Sequence, residues 1–225
     1  MPVKIAIVDD KASNRNILKD KLTRHAQFEV CLLAADGKEF MEKMASLTLE
    51  RLPDVVIMDL EMPHMDGVDA IAVGSCLYPS VKFVVLTIFD DEEKIFKAIK
   101  AGAYGYLLKD ETAENITETL AQMHENAVGP ISPGIAYKIL QMVQQNDLSF
   151  PGKSGDRIVT DFFDLTAREN EILQLLVAGL VYKEIGTQLS ISTNTAKKHV
   201  MNIYQKLHVN SRAQALHLAY ARGLL

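Results

Sequence analysis

The chain has 225 residues, 48% hydrophobic and 24% charged, with a net charge of −5. That length suits two domains better than one, and no run approaches the ~20 apolar residues of a transmembrane helix. The charge is uneven: residues 1–127 carry 14 Lys/Arg against 22 Asp/Glu, and residues 128–225 carry 10 against 7. An acidic half that suits a cation is therefore joined to a basic half that suits a polyanion.

The opening stretch, MPVKIAIVDD, reads as a strand running into acids and not as a signal peptide. Apolar runs recur at Lys4–Val8, Phe28–Leu33, Val55–Met58, Phe83–Leu86 and Tyr104–Leu108. Between and after them lie amphipathic segments, Asn14–His25, Gly37–Ser46, Val68–Leu77, Asp91–Ala101 and Thr112–Asn126. Five strand–helix repeats predict a parallel sheet with helices on both faces. Continuous apolar strands without in–out alternation fit a sheet covered on both sides. Val68–Leu77 is the least helix-like segment, because Gly74 and Ser75 cost helix propensity. Cys31 and Cys76 show no metal-ligand spacing and read as reduced core thiols of a cytoplasmic protein.

The composition changes after residue 127. Gly129-Pro130 and Ser132-Pro133-Gly134 are breakers, one helix follows at about Ile135–Gln145, and LSFPGKSGDR reads as a loop. Residues 128–160 thus read as a linker with one helix, between domains spanning 1–127 and 161–225. The last stretch reads as four short helices. Thr166 and Glu169 form a capping box with Leu165 placed as a staple. A second helix at Lys183–Leu189 and the turn Ser190-Ile191-Ser192 lead to a third, Thr193–Leu207, capped by Ser192. Ser211 and Gln214 open the fourth as another capping box. Helix, tight turn, helix is a helix-turn-helix pattern.

In a doubly wound sheet of order 2-1-3-4-5, ligands bind beyond the carboxyl ends of the strands, at the switch between strands one and three. Those two strands end in Asp9-Asp10 and in Asp59; the fourth ends in Thr87 and the fifth in Lys109. Three carboxylates in one pocket need a cation, and hard oxygen ligands of this kind suit Mg²⁺. A hydroxyl, an ammonium and a divalent ion around a carboxylate make a clamp for a phosphoryl group. Asp59 is then a nucleophile that becomes an aspartyl phosphate. Asp36 and Asp90 read as helix caps or turn residues.

With IVDD, MDLEMPHMDG, VVLT and AGAYGYLLK in place, residues 3–126 closely resemble the receiver domain of two-component response regulators. The resemblance implies a flavodoxin-like fold and an Asp59 phosphorylated by a histidine kinase. It makes Asp9 and Asp10 the metal-binding acids, with the main-chain carbonyl of Glu61 as a further ligand. Thr87 and Lys109 become the phosphoryl-sensing pair, and Tyr106 the switch aromatic. Such a domain is no enzyme beyond its own phosphoryl transfer and autodephosphorylation. Glu61 also brings an acidic side chain near the site, where it would affect the lifetime of the phosphoryl group.

On a helical wheel of Thr193–Leu207, Ala196, Val200, Ile203 and Leu207 form one stripe. Asn194, Lys198, Met201 and Gln205 lie opposite, flanked by Lys197, Asn202 and Lys206. Lysines and amides facing out from an apolar seam suit the DNA major groove, with Thr193 and Thr195 at the entry to the helix. Lys183, Lys206 and Arg212, near helix ends, would meet phosphates. Residues 164–225 resemble the LuxR-type DNA-binding domain of the NarL/FixJ class. His208 replaces a usual glycine there, Gly186 a usual alanine, and Met201 stands where a basic residue is frequent. His199, beside the buried stripe, reads as structural.

Together the two resemblances imply a transcription regulator whose DNA binding depends on phosphorylation of Asp59. Either release of a masked recognition helix or homodimerisation on paired half-sites would serve as the switch. The rivals are DNA binding that ignores phosphate, an interaction module that binds no DNA, and an aspartyl-nucleophile phosphatase. The phosphatase reading fits poorly, since the nucleophile lies on the third strand and Asp9-Asp10 are adjacent.

Overall fold

The structure, a computed structural model, describes residues 2–126, 129–144, 163 and 165–221; the expected loop LSFPGKSGDR lies outside the described residues. The chain forms two compact units, Met1–Ser149 and Phe150–Leu225.

The first unit is built on strands β1 (Val3–Val8), β2 (Phe28–Ala34), β3 (Val55–Met58), β4 (Lys82–Thr87) and β5 (Gly105–Leu108). Helices α1 (Ala12–Leu22), α2 (Gly37–Ala45), α3 (Gly67–Leu77), α4 (Glu92–Ala101) and α5 (Ala113–Asn126) alternate with them. All pairings are parallel and the order is β2-β1-β3-β4-β5, the doubly wound α/β sheet expected from the pattern. On one face Ile5, Ile7, Ile57 and Val84 pack with Leu18 and Leu22 of α1 and Ile116, Leu120 and Met123 of α5. On the other, Phe40 of α2 meets Phe83 of β4 edge to face at 6.1 Å.

Two local expectations meet tertiary context. The register of β2 slips between Val30 and Leu32, so Cys31 bulges out of the ladder and is exposed. It is not the core thiol expected, because a bulged residue on an edge strand loses its inward direction; Cys76 is buried. Gly74 does not break α3: a Cβ there would stand 2.5 Å from the ring of Phe83. Its low helix propensity accommodates a close packing of helix on strand.

The helix beyond the breakers, α6 (Pro133–Gln144), falls within the first unit and packs on α4. Ahead of it, Pro130–Ser132 runs beside β5: Tyr106 N–H donates to Pro130 O at 2.8 Å and Ser132 N–H to Tyr106 O at 3.0 Å. The approach requires small residues. A Cβ on Gly105 would sit 2.5 Å from Pro130 Cδ, and one on Gly129 would sit 1.8 Å from Tyr104 O.

The second unit holds α7 (Ala167–Val177), α8 (Tyr182–Gln188), α9 (Thr193–Lys206) and α10 (Arg212–Ala221). Thr166 and Glu169 form the full capping box, and Ser192 caps α9 by accepting from Thr195 N–H at 3.0 Å. The Ser211 box is only half made: Gln214 N–H donates to Ser211 Oγ at 3.2 Å, while Gln214 Oε1 accepts from Asn210 N–H instead. Ile172, Leu176, Ile185, Ala196, Val200, Ile203, Leu207 and Leu218 form the core, each wholly buried.

Candidate functional site

The carboxyl ends of β1 and β3 bring Asp9 and Asp59 together, both nearly buried at 5% and 7% exposed. Asp10 is exposed at the rim, and carboxylate oxygens of all three lie within 4.8 Å of one another. Buried carboxylates need compensation. Lys109, at the end of β5, supplies it: its ammonium lies 2.6 Å from Asp9 Oδ2 and 2.5 Å from Asp59 Oδ2. Burial alone would pull the Lys109 pKa down, but the two carboxylates outweigh it and hold the amine above its usual range. Asp59 Oδ1 also accepts from Leu60 N–H at 2.8 Å.

Two residues that the sequence reading did not single out complete the pocket. Asn14 Nδ2 donates to both oxygens of Asp9 at 3.1 Å. The Arg15 guanidinium donates to the main-chain oxygens of Asp9 and Asp10 at 2.5 and 3.2 Å. The available signal was position, since both lie in the first turns of the helix that starts at the ligand end of β1.

Gly67 governs the far wall. A Cβ there would stand 2.0 Å from Asp59 O, so glycine lets the start of α3, capped by Asp66, close on the β3 terminus. Thr87, at the end of β4, is fully buried and its Oγ1 has no hydrogen-bond partner. Tyr106 is buried, and its hydroxyl donates to Phe89 O at 2.8 Å; burial, then the charges of Asp91, Asp90 and Asp59, push the phenol well above its ordinary pKa. The Glu61 carboxylate is held by Lys94, whose ammonium also lies over the Phe89 ring at 3.3 Å. Asp36 caps α2, accepting from Glu39 N–H. Asp90 caps no helix and binds Lys138 instead, because Asp91 takes the cap of α4.

In the second unit α8 and α9 meet at the turn Leu189–Ser192, where Ser190 adopts a left-handed backbone at φ 55°. Thr193, Asn194, Thr195, Lys197, Lys198, Met201 and Gln205 are exposed along α9, as is Lys183 on α8, and Asn202 is half-buried. This face can meet a polyanion. Lys206 and Arg212 are placed differently. The Lys206 ammonium lies 2.7 Å from the buried Glu169 carboxylate, and Arg212 Nη2 donates to Leu176 O at 2.9 Å. Both join α7 to the helices that carry them. His199 is half-buried beside the core stripe.

Residues 5–121 match the response regulator receiver domain, and residues 164–219 match the bacterial regulatory proteins of the luxR family. The transcriptional regulatory protein LnrK of Bacillus subtilis (strain 168) is 35% identical over 95% of this chain and 94% of its own length. LiaR, a transcriptional regulatory protein of the same organism, is 33% identical over 99% of each chain. Among solved structures, RcsB from Salmonella enterica serovar Typhimurium, bound to promoter rprA with a phosphomimetic, aligns over 97% of this chain and 98% of its own. Its TM-score is 0.53 at 18% identity, which shows a shared fold.

Proposed function

Because this chain belongs to the two-component response regulators that pair a receiver domain with a luxR-family DNA-binding domain, we propose that its switch is a phosphoryl group on Asp59. The observation that carries this reading is a nearly buried carboxylate, Asp59, with an ammonium at 2.5 Å and a buried hydroxyl, Thr87, lacking a partner. The donor is the phosphohistidine of a sensor kinase. Asp59 attacks phosphorus in line, the P–N bond breaks as the P–O bond forms, and the imidazole leaves with a proton from solvent. Lys109 stays beside the acceptor and neutralises charge on the transferred group. The Thr87 hydroxyl donates to one of its oxygens. Attack of water on the same phosphorus breaks its bond to the Asp59 oxygen, releasing inorganic phosphate and returning the carboxylate; in this reading the chain acts only on its own phosphoryl group.

Asp9, Asp10 and Asp59, with the main-chain carbonyl of Glu61, would hold Mg²⁺, a cation that accepts few protein oxygens and keeps its waters. Their clustered oxygens fit such an ion, which when bound neutralises charge on phosphoryl oxygens. The output is double-stranded DNA, met by Thr193, Asn194, Thr195, Lys197, Lys198, Met201 and Asn202 of α9, and by Lys183. Lys206 and Arg212 would add phosphate contacts from the edge of that face. A phosphorylated homodimer would place two α9 helices on paired half-sites. The work is proposed for the cytoplasm; no helix among the described residues is long and apolar enough to cross a membrane.

A second reading, DNA binding that ignores phosphate, draws on Tyr106: a buried ring with a satisfied hydroxyl is costly to move. Sedimentation and retention of genomic DNA fragments by wild type and Asp59→Asn, with Mg²⁺ and with or without beryllofluoride, separates the two. Gain of dimer or of DNA affinity in wild type alone is expected. Equal DNA binding by both proteins in every condition would establish the second reading.

A further inference from the structure

The segment Gly129–Gln144, read from sequence as part of a linker, is fastened to the first unit at three places. The first is the Tyr106 main chain, bonded on both sides to Pro130 and Ser132. The second is Ser132, buried at 4% exposure, whose Oγ accepts from Leu108 N–H at 3.1 Å and donates to the Glu111 carboxylate. The third is Lys138, whose ammonium binds the Asp90 carboxylate at 2.6 Å and also the Asp90 main-chain oxygen. Leu108 precedes Lys109, Glu111 follows it by two, and Asp90 follows Thr87 by three. Every attachment therefore lies within three residues of Thr87 or Lys109.

We propose that Lys138 is a positioning residue that restrains the loop Ile88–Asp91, and with it Thr87, in the unphosphorylated arrangement. This rests on the reading of Asp59 as phosphoacceptor. The Thr87 hydroxyl is buried and has no partner where it stands; in this proposal it meets a phosphoryl oxygen as the end of β4 shifts and carries Asp90 along. The loop is held from two sides, at Phe89 O by the Tyr106 hydroxyl and at Asp90 by Lys138. Asp90 is bound through both its carboxylate and its main chain, so it has no easy slack. Lys138, hydrogen-bonded to it and then acting through its charge, keeps the Asp90 carboxyl below its usual pKa. By linkage, a contact that opposes phosphorylation is weakened by phosphorylation to the same degree, and its removal favours the phosphorylated state by that factor. The helix α6, which carries Lys138 and also packs on α4, thereby answers to the state of Asp59 through Asp90 as well.

The test titrates beryllofluoride, with Mg²⁺ present, into the full chain by calorimetry. Lys138→Met keeps the packing stem and removes the charge; Lys138→Arg keeps the charge; Asp90→Asn removes the partner. Lys138→Met and Asp90→Asn should each bind about two- to fivefold tighter than wild type, the size expected of a largely exposed ion pair, and Lys138→Arg should match wild type. Unchanged or weaker binding by Lys138→Met, with melting behaviour like wild type, overturns the proposal. A misfolded Lys138→Met leaves Asp90→Asn to decide it by the same criterion. If wild type takes up no beryllofluoride, or Asp59→Asn takes up as much, the phosphoacceptor reading fails, and the restraint fails with it.

Discussion

Gly67 decides how closely α3 can approach the proposed acceptor. With a Cβ only 2.0 Å from Asp59 O, Gly67→Ala must push the start of α3 away from β3. Overpacking of this kind costs about 1–3 kcal/mol, so the urea midpoint of the first unit should fall, and beryllofluoride affinity with it. Glu169 plays a comparable part in the second unit. Burial alone would raise its carboxyl pKa, but the Lys206 ammonium and the Thr166 donors overcome that and hold it below the usual range. A carboxylate depressed in the folded state contributes stability that is complete above its unfolded pKa of about 4.3. That contribution is lost as the pH falls through the lower folded value. Glu169→Gln should cost about 1–2 kcal/mol at neutral pH and flatten the acid limb of this unit's stability curve, as followed by urea titrations between pH 3 and pH 7.

At the scale of elements, α9 has one face buried in a core and one face open. Lys197 and Lys198 are exposed, whereas Lys206 is tied to Glu169. Their substitutions should therefore separate. Lys197→Ala and Lys198→Ala should each lower the slope of log affinity against log salt by about 0.9, the value for one lost phosphate contact. Lys206→Ala should lower the unfolding midpoint more than it alters the slope. DNA retention over a series of salt concentrations, beside thermal unfolding, measures both. The turn before α9 offers an independent check. Ser190 is held at φ 55° and is exposed, and a left-handed backbone disfavours residues other than glycine by about 1–2 kcal/mol. After glycine's own entropy cost, Ser190→Gly should stabilise the second unit by about 0.5–1 kcal/mol, seen as a rise in its melting temperature.

The molecule as a whole consists of two units, each with its own buried core. The acidic pocket belongs wholly to the first, and the open basic face of α9 wholly to the second. A ligand that binds only the folded first unit stabilises that unit by mass action, about 2.7 kcal/mol at a hundredfold excess over its dissociation constant. Beryllofluoride with Mg²⁺ should therefore raise the melting of the first unit and leave the second where it is. Calorimetric scans of wild type and Asp59→Asn check this, the variant showing no rise in either unit.

How much of this was legible beforehand depends on the range of the interaction concerned. Helix caps at Asp36, Thr166 and Ser192, the apolar stripe of α9 and the run of buried strands arise between residues close in the chain, or from a periodicity that only one element satisfies. The sheet order follows from the connections, and it carries Asp9 and Asp59 to neighbouring strand ends. So the sequence by itself determined the layered architecture, the helix-turn-helix and the acidic cluster. Other features required parts of the chain far apart to meet, and only the tertiary structure decided them. Asn14 reaches the Asp9 carboxylate, and Arg15 the main chain of Asp9 and Asp10, because α1 starts at the pocket's edge. Cys31 faces solvent because a bulge displaced it, and Lys206 is bound because α7 presents Glu169 to it. The segment Pro130–Ser132 after the first breaker returned to the sheet because Gly105 and Gly129 leave room for main chain to lie beside β5. A pattern of residue types records which faces must be buried; which partner buries them, and which charge finds which, depends on distances that exist only once the chain has closed on itself.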